Sequence, residues 1–295
     1  MHPKELKYWL ALQSVEGIGA ATYLKLLDRF GTARDVFSAS MADLTAIPRL
    51  PAPISAEILR VSERIEEMEK LILQLDDTGI SIVTLEDDTY PEALRLIKNP
   101  PPLIYIAGNL KPADARSVAI VGSREATPNG LQIARGFGQR LAQRGFTVIS
   151  GYAKGIDTAG HLGALEAGGR TVMVLSTGIL HFKLRDAGFE SIDFLKENGA
   201  IISEMFPTAN WTVGSAMARN RIVVGLSQGV IVVECKLESG TMNTARVAQQ
   251  MNKPLFVLKY TEIGDHVQGN EELLKRGAIA IARFTDIALI ENVIH

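Results

Sequence analysis

The side chains in this sequence best suited to chemistry are arginines and lysines set in or beside glycine- and serine-rich turns, and the chemistry they suit is the holding of anions. Gly122-Ser123-Arg124 follows the apolar run Val118-Ala119-Ile120-Val121 and precedes Thr127-Pro128, a helix-start pattern. At such a junction the first backbone N–H groups of the helix lack intrahelical partners, and the helix dipole favours negative charge above them. A dinucleotide fingerprint would need two further glycines where this chain has Arg124 and Thr127. A planar cation in that cradle fits a phosphate-rich or polymeric ligand; a surface arginine beside a structural glycine is the plainer alternative.

Three further segments share this character. Ser150-Gly151-Tyr152-Ala153-Lys154-Gly155-Ile156-Asp157 is a glycine-rich turn entering a helix, with His161 four residues after Asp157 on one face. Ser215-Ala216-Met217-Ala218-Arg219-Asn220-Arg221 brings two more cations, and Glu238-Ser239-Gly240-Thr241 opens a later helix. Arg124, Lys154, Arg219 and Arg221 are expected to converge on one edge, as a phosphate pocket several anions wide. Competing readings stand beside this one. Arg219 and Arg221 could be buried partners of Glu204 or Glu234, Asp157 a helix cap, and His161 a packed or hydrogen-bonded histidine. Ser239 and Thr241 either donate to an anion or cap their helix, since no His/Asp pair is placed to activate a nucleophile. The five histidines and the one cysteine, Cys235, are scattered without metal-ligand spacing. No metal and no cofactor are expected, and Trp9 and Trp211 read as core or interface.

These residues need a scaffold, and the pattern supplies it. From Ser117 onward strand-like and helix-like segments alternate. Strands are predicted at 118–121, 146–149, 171–175, 200–202, 230–233, 255–258 and 278–282, with helices at about 128–144, 156–168, 191–197, 217–227, 241–251 and 270–275. Such repetition means a doubly wound, mostly parallel sheet, in which ligands bind beyond the carboxyl ends of the strands. Residues 1–75 read as a small all-helical domain. Its Val15-Glu16-Gly17-Ile18-Gly19 resembles a helix-hairpin-helix turn, although local acidity favours a structural hairpin over phosphate contact. Residues 55–75 read as one amphipathic helix with a charged outer face. Residues 76–116 form a connecting segment with strand candidates at 80–85 and after the triple proline Pro100-Pro101-Pro102, and 117–295 form the main domain.

The chain of 295 residues is long enough for two domains. Its single cysteine excludes an internal disulfide and fits a reducing cytosol. No apolar run approaches a bilayer span and the start shows no signal-peptide pattern, so a cytoplasmic protein without membrane contact is expected. Net charge is −2, which excludes a global polycation. Its distribution says more: residues 1–115 carry 12 basic and 17 acidic side chains, whereas 116–295 carry 19 and 16, so anion binding belongs in the second part.

Taken in order, Gly122-Ser123-Arg124, Ser150-Gly151-x-Ala153-x-Gly155-Ile156-Asp157 with His161, Ser203-Glu204, Arg219-Asn220-Arg221-Ile222 and Glu234-x-x-x-Glu238-Ser239-Gly240-Thr241 with Thr244-Ala245 resemble the DNA-processing protein A (DprA, or Smf) family. The resemblance covers about 175 residues. It implies an α/β extended Rossmann-like fold, single-stranded DNA at the sheet's edge, a homodimer, no catalytic residues, and delivery of the strand to the recombinase RecA in natural transformation. Carried over by position, Arg124 is expected to contact phosphate and Arg219 and Arg221 to line or brace the pocket. Lys183, in the loop after strand 171–175, matches a basic position near the DNA. Gly122, Ser123, Gly151, Lys154, Gly155, Ser215, Asn220, Ser239, Gly240 and Thr241 complete the expected DNA- and phosphate-binding set. The chain departs from the family at His181-Phe182, where Tyr-Pro is usual, and at Val257-Leu258-Lys259-Tyr260, which lacks the common Pro-Gly. It is also expected to lack the winged-helix domain that many members carry.

Two alternatives use the same pocket: a nucleotide hydrolase of the lysine-decarboxylase-like ("lonely guy") fold, and a nucleotide-signal sensor. The hydrolases resemble this chain at Gly240-Thr241, but their motif ends in a glutamate where this chain has Thr244, which removes the general catalyst.

Overall fold

A computed structural model describes residues 3–186, 188–262 and 264–294. The chain divides into two compact units, Met1–Tyr105 and Ile106–His295.

The first unit begins with six helices: α1 (Pro3–Ser14), α2 (Ala20–Phe30), α3 (Ala33–Ser38), α4 (Met41–Thr45), α5 (Ala52–Val61) and α6 (Ile65–Asp77). Their starts follow local side-chain chemistry. Thr32 accepts the Asp35 N–H at 3.1 Å, and Ser40 with Asp43 forms a capping box. Leu10, Leu12, Tyr23, Leu26, Leu44 and Ile58 are buried, and the Tyr23 hydroxyl donates to Trp9 O at 3.0 Å. The single amphipathic helix expected over 55–75 is instead α5 and α6, separated by a tight 3-10 turn at Ser62–Arg64 where Arg64 leaves helical geometry at φ −110°, ψ 9°. The unit continues through β1 (Ile80–Thr84) and α7 (Glu92–Arg95) into β2 (Leu103–Gly108), and the unit boundary falls within β2.

The second unit holds β3 (Ser117–Val121), α8 (Pro128–Gln143), β4 (Thr147–Ser150), α9 (Ile156–Glu166), β5 (Thr171–Leu175), α10 (Ile192–Glu197), β6 (Gly199–Ser203), α11 (Val213–Leu226), β7 (Gly229–Val232), α12 (Gly240–Gln250), β8 (Leu255–Leu258), α13 (Gln268–Lys275), β9 (Ile279–Ile281) and α14 (Ile287–Ile294). Its strands lie in the order β6-β5-β4-β3-β7-β8-β9, and each neighbouring pair is parallel. Ile120 sits opposite Ile231 and Val121 opposite Val232 in the central β3–β7 pair. Every residue of β3, β5, β6, β7 and β8 is buried, as strands covered on both faces must be.

Helices cover both faces. Val118 and Ile120 pack with Phe137, Leu141, Ile156 and, from α14, Ile287 and Ile290. Val121 points the other way, where it shares a cavity wall with Val223 of α11. α8 and α9 approach backbone to backbone, since a Cβ on Gly138 would strike Gly160 O and one on Gly163 would strike Arg135 O. The chain runs outward from β3 to β6, returns, and runs outward again from β7 to β9. The order therefore reverses between β3 and β7, which is where doubly wound sheets open a crevice at their carboxyl ends.

Candidate functional site

Three turns meet at that reversal. In the β3–α8 turn, Ser123 N donates to Glu234 O at 2.8 Å, while Ser123 O accepts the Ile156 N–H at 3.2 Å, tying all three turns through one residue. Glycines make this possible. A Cβ on Gly122 would lie 2.5 Å from Ile156 Cγ1, and Gly155, at φ +90°, lies too close to Ser123 O for any side chain. Gly151 makes room for the guanidinium of Arg219. Gly122, Gly151 and Gly155 thus open space for protein groups, whereas a Cβ on Gly240 would meet nothing within 4 Å.

The α8 entrance is already occupied. Glu234 follows β7 and is fully buried, and its carboxylate accepts the Thr127 N–H at 2.9 Å and the Thr127 hydroxyl at 2.5 Å. Thr127 in turn caps α8 by accepting Gly130 N–H at 3.0 Å. The positive end of this helix is met by a carboxylate of the chain itself, which corrects the expectation of a vacant anion site above Gly122-Ser123-Arg124.

The β4–α9 turn is likewise filled from within. Asp157 is buried and accepts N–H groups from Gly151 at 3.2 Å and Ala153 at 3.4 Å, the cap-like role read as an alternative in the sequence. Burial raises its pKa above the ordinary aspartate value, with the Arg219 charge as the main opposing influence. Arg219 is itself buried and donates to Gly151 O at 2.6 Å and to Val174 O. Below them His161 donates from Nδ1 to Thr171 Oγ1, whose own proton goes to Val148 O at 2.8 Å. Burial first and the Arg219 charge second push the His161 pKa down to about 3, so the ring is neutral at pH 7.

What remains open is a pair of cavities with Arg124 in the wall of both. The first, of about 580 Å³, is walled by the β3–α8 and β7–α12 turns and the start of α11; Ser123, Asn220, Ser239, Gly240 and Thr241 supply its polar surface and Trp211, Val213 and Met217 its apolar rim. Ser239 caps α12 by accepting the Met242 N–H at 3.4 Å, and Asn220 is held by Asn243 Oδ1 at 3.1 Å. The second, of about 1040 Å³, lies along α8 and α9 and includes Lys154, Gly155, Tyr152 and Arg185. Arg124 is exposed, stands 5.9 Å from the Trp211 ring centroid, and has no carboxylate partner among the described residues. Lys236 at the first cavity's mouth is engaged by Glu125 at 2.8 Å.

This geometry can be set beside known proteins. Residues 81–291 match the family model described as DNA recombination-mediator protein A, and residues 10–59 match a SAM-like helix-hairpin-helix tandem. The chain belongs to the DNA recombination-mediator protein A family. Protein Smf of Synechocystis is 30% identical over 285 residues, spanning 95% of this chain and 71% of that protein. The crystal structure of DNA processing protein A from Streptococcus pneumoniae superimposes with a TM-score of 0.77 at 27% identity, covering 96% of this chain and 97% of that one. A structure of the Helicobacter pylori protein, which describes its single-stranded DNA binding mode, gives 0.62 at 34% identity, covering 72% and 97%.

Within this family member the expected site residues separate into three groups. Gly122, Ser123, Arg124, Gly151, Arg219, Asn220, Ser239, Gly240 and Thr241 all line the first cavity, and Lys154 and Gly155 line the second. Lys183 is exposed but lies in neither wall, and Ser215 turns its hydroxyl to Ser176 O at 2.7 Å and to the α11 cap at Thr212. Arg221 is committed elsewhere: it forms a two-pronged pair with Glu204, at 3.0 Å and 2.5 Å, and Glu204 is raised in pKa by burial with Arg221 opposing. Arg219 and Arg221 are two positions apart on a helix, so their side chains point in nearly opposite directions and cannot share one pocket. Phe182, at the position where the chain departs from the family pattern, packs on Tyr152 with ring centroids 5.5 Å apart. Arg185, Lys236 and Trp211 were not anticipated at the cavities. Trp211 follows a loop with no periodic apolar neighbours, and that signal separates an exposed tryptophan from a core one such as Trp9.

Proposed function

We propose that this protein binds single-stranded DNA along the rim of the β3–β7 crevice and hands the strand to the recombinase RecA, acting by binding rather than by catalysis, as a homodimer in the cytoplasm. The observation that carries the reading is Arg124, an exposed guanidinium without a carboxylate partner among the described residues, set in the wall between two cavities. A small anion needs only one of them. A polyanion crossing from one to the other passes the planar cation that holds phosphate best and continues towards Lys154. The Helicobacter pylori relative, whose structure describes a single-stranded DNA binding mode, supports the same ligand class. A nucleotide hydrolase receives no such support, since Thr244, at the position of the missing acid, spends its hydroxyl on Gly240 O at 3.2 Å.

The test is a titration of labelled oligo-dT strands of increasing length, and of mononucleotides, against wild type and Arg124→Ala. Affinity should grow with strand length and fall with salt by roughly 0.7 log units per log unit of salt for each phosphate held. Arg124→Ala should cost at least ~1.5 kcal/mol for a charge-assisted contact. Mononucleotides binding as well as long strands would transfer the site to a small-ligand sensor. Nucleation of RecA on a strand precoated with single-strand binding protein, with and without this chain, tests the delivery step.

A further inference from the structure

We infer that Trp211 is a base-stacking residue: at the rim of the first cavity its indole carries one base of the bound strand while Arg124 takes the adjoining phosphate. This rests on the single-stranded DNA reading above and adds to it a residue and a contact of a different kind, apolar rather than ionic.

Openness is the first observation. Trp211 is 48% exposed, and Val213 and Met217 on the same rim are also exposed. A large aromatic ring among apolar neighbours at a cavity mouth marks a surface shaped for a partner. The second is fixity. The loop before α11 is pinned to the loop after β5, with Gly178 N donating to Ala209 O at 2.8 Å and Leu180 N to Pro207 O at 3.1 Å, and Thr212 caps α11 immediately after the tryptophan. The backbone beneath the indole is therefore held before any ligand arrives, which lowers the ordering cost of binding. The third is what surrounds it. The Arg124 guanidinium lies 5.9 Å from the ring centroid, and Thr241, more than nine-tenths buried in the same cavity wall, has a hydroxyl without a hydrogen-bond partner among the described residues. An apolar plate bordered by a cation and a spare hydroxyl fits a nucleotide, which joins a π-face to an anion and hydrogen-bonding oxygens. A protein helix or an acyl chain would leave the cation and the hydroxyl unanswered.

A chemical double-mutant cycle on the full chain tests this. Wild type, Trp211→Ala and Trp211→Phe are titrated with labelled oligo-dT and with a length-matched strand of abasic units. Trp211→Ala should weaken oligo-dT binding about tenfold, as loss of one stacked base does. Trp211→Phe should recover most of that loss, and the abasic strand should bind wild type and Trp211→Ala alike. Oligo-dT should also quench the intrinsic fluorescence of wild type but not of Trp211→Phe, because the remaining tryptophan, Trp9, is buried in the first unit. Equal losses on the two strands, or no loss on either, would overturn the inference and leave the DNA reading standing. A wild-type chain that holds neither strand would overturn both.

Discussion

Two helix entrances stand side by side at the centre of the sheet, α8 after β3 and α12 after β7, and they have opposite fates. Each follows a strand and begins at a capping hydroxyl, Thr127 in one and Ser239 in the other. At α8 the fully buried Glu234 carboxylate has taken the place a ligand anion would occupy, receiving both the N–H and the hydroxyl of Thr127. At α12 the space above Gly240 is empty of protein and the Thr241 hydroxyl has no partner among the described residues. A strand, a turn and a helix start thus define where an anion is favourable. Whether the chain has already put one of its own there is a separate question, and only the tertiary structure answers it.

The sharpest way to break this contrast is to remove the internal anion. Glu234→Ala takes the acceptor from the part-buried Thr127 N–H and hydroxyl and should cost about 2 kcal/mol in denaturant unfolding. Glu234→Gln, which keeps one acceptor, should cost about 1 kcal/mol. Gly240→Ala at the open entrance should shift stability by less than ~0.5 kcal/mol, because its new methyl meets no protein atom. Equal destabilisation by Glu234→Ala and Gly240→Ala would mean that the α12 entrance is as filled as the α8 entrance.

The filled side should also respond to acid. The buried His161 is held to a pKa of about 3 against an ordinary value of 6.5, so between those values the unfolded chain takes up a proton that the folded chain refuses. The His161 contribution to folding stability is then fully present above pH 6.5 and is lost as pH drops, approaching about 1.4 kcal/mol per pH unit and reaching about 2 kcal/mol near pH 5, while the raised Asp157 and Glu204 contribute with the opposite sign. His161→Leu should flatten that slope in unfolding curves measured from pH 7 to pH 5. A slope unchanged by the substitution would place the titrating group elsewhere.

The alternating strands and helices were legible in the sequence because a parallel sheet covered on both faces writes its strands as short β-branched runs, and β3, β5, β7 and β8 lie close to where those runs stand. Helix termini were less so. α11 begins at Val213, four residues before the predicted start, because its cap is Thr212 in a loop without apolar periodicity. The glycine-bearing turns were found, yet what the glycines accommodate was not. Gly151 faces Arg219, 68 positions away, and the Glu234–Thr127 contact spans 107. No local pattern encodes such pairings. The fate of Arg219 and Arg221 was half legible: acidic partners were in view, and their i, i+2 spacing already forbade a common face.

The open entrance can be sharpened without disturbing the fold. Thr241→Val replaces a hydroxyl that bonds to nothing among the described residues with a methyl of the same shape. Stability should hold or rise slightly, while affinity for single-stranded DNA should fall by about 1 kcal/mol if that hydroxyl donates to a phosphate. Binding left intact, measured by anisotropy with the same oligo-dT, would confine the strand to the Arg124 side of the crevice.

The smallest effect concerns the mouth of that entrance, where the contrast between internal and external anions is not yet decided. Glu125 reaches from the β3–α8 turn to Lys236 on the β7–α12 turn at 2.8 Å, and both side chains are exposed. Here a carboxylate of the chain holds a cation that an incoming phosphate could use, as Glu234 does for the α8 entrance, but in water and at the surface. An exposed pair is weak and exchanges readily, so it competes with a ligand without excluding it. Glu125→Gln should therefore tighten oligo-dT binding about twofold by freeing Lys236, with the gain shrinking as salt screens the released charge. Lys236→Gln should abolish that gain when combined with Glu125→Gln. If Glu125→Gln instead weakens the strand, the carboxylate serves to aim Lys236 at a phosphate, and the mouth belongs with the open side of the site rather than with the filled one.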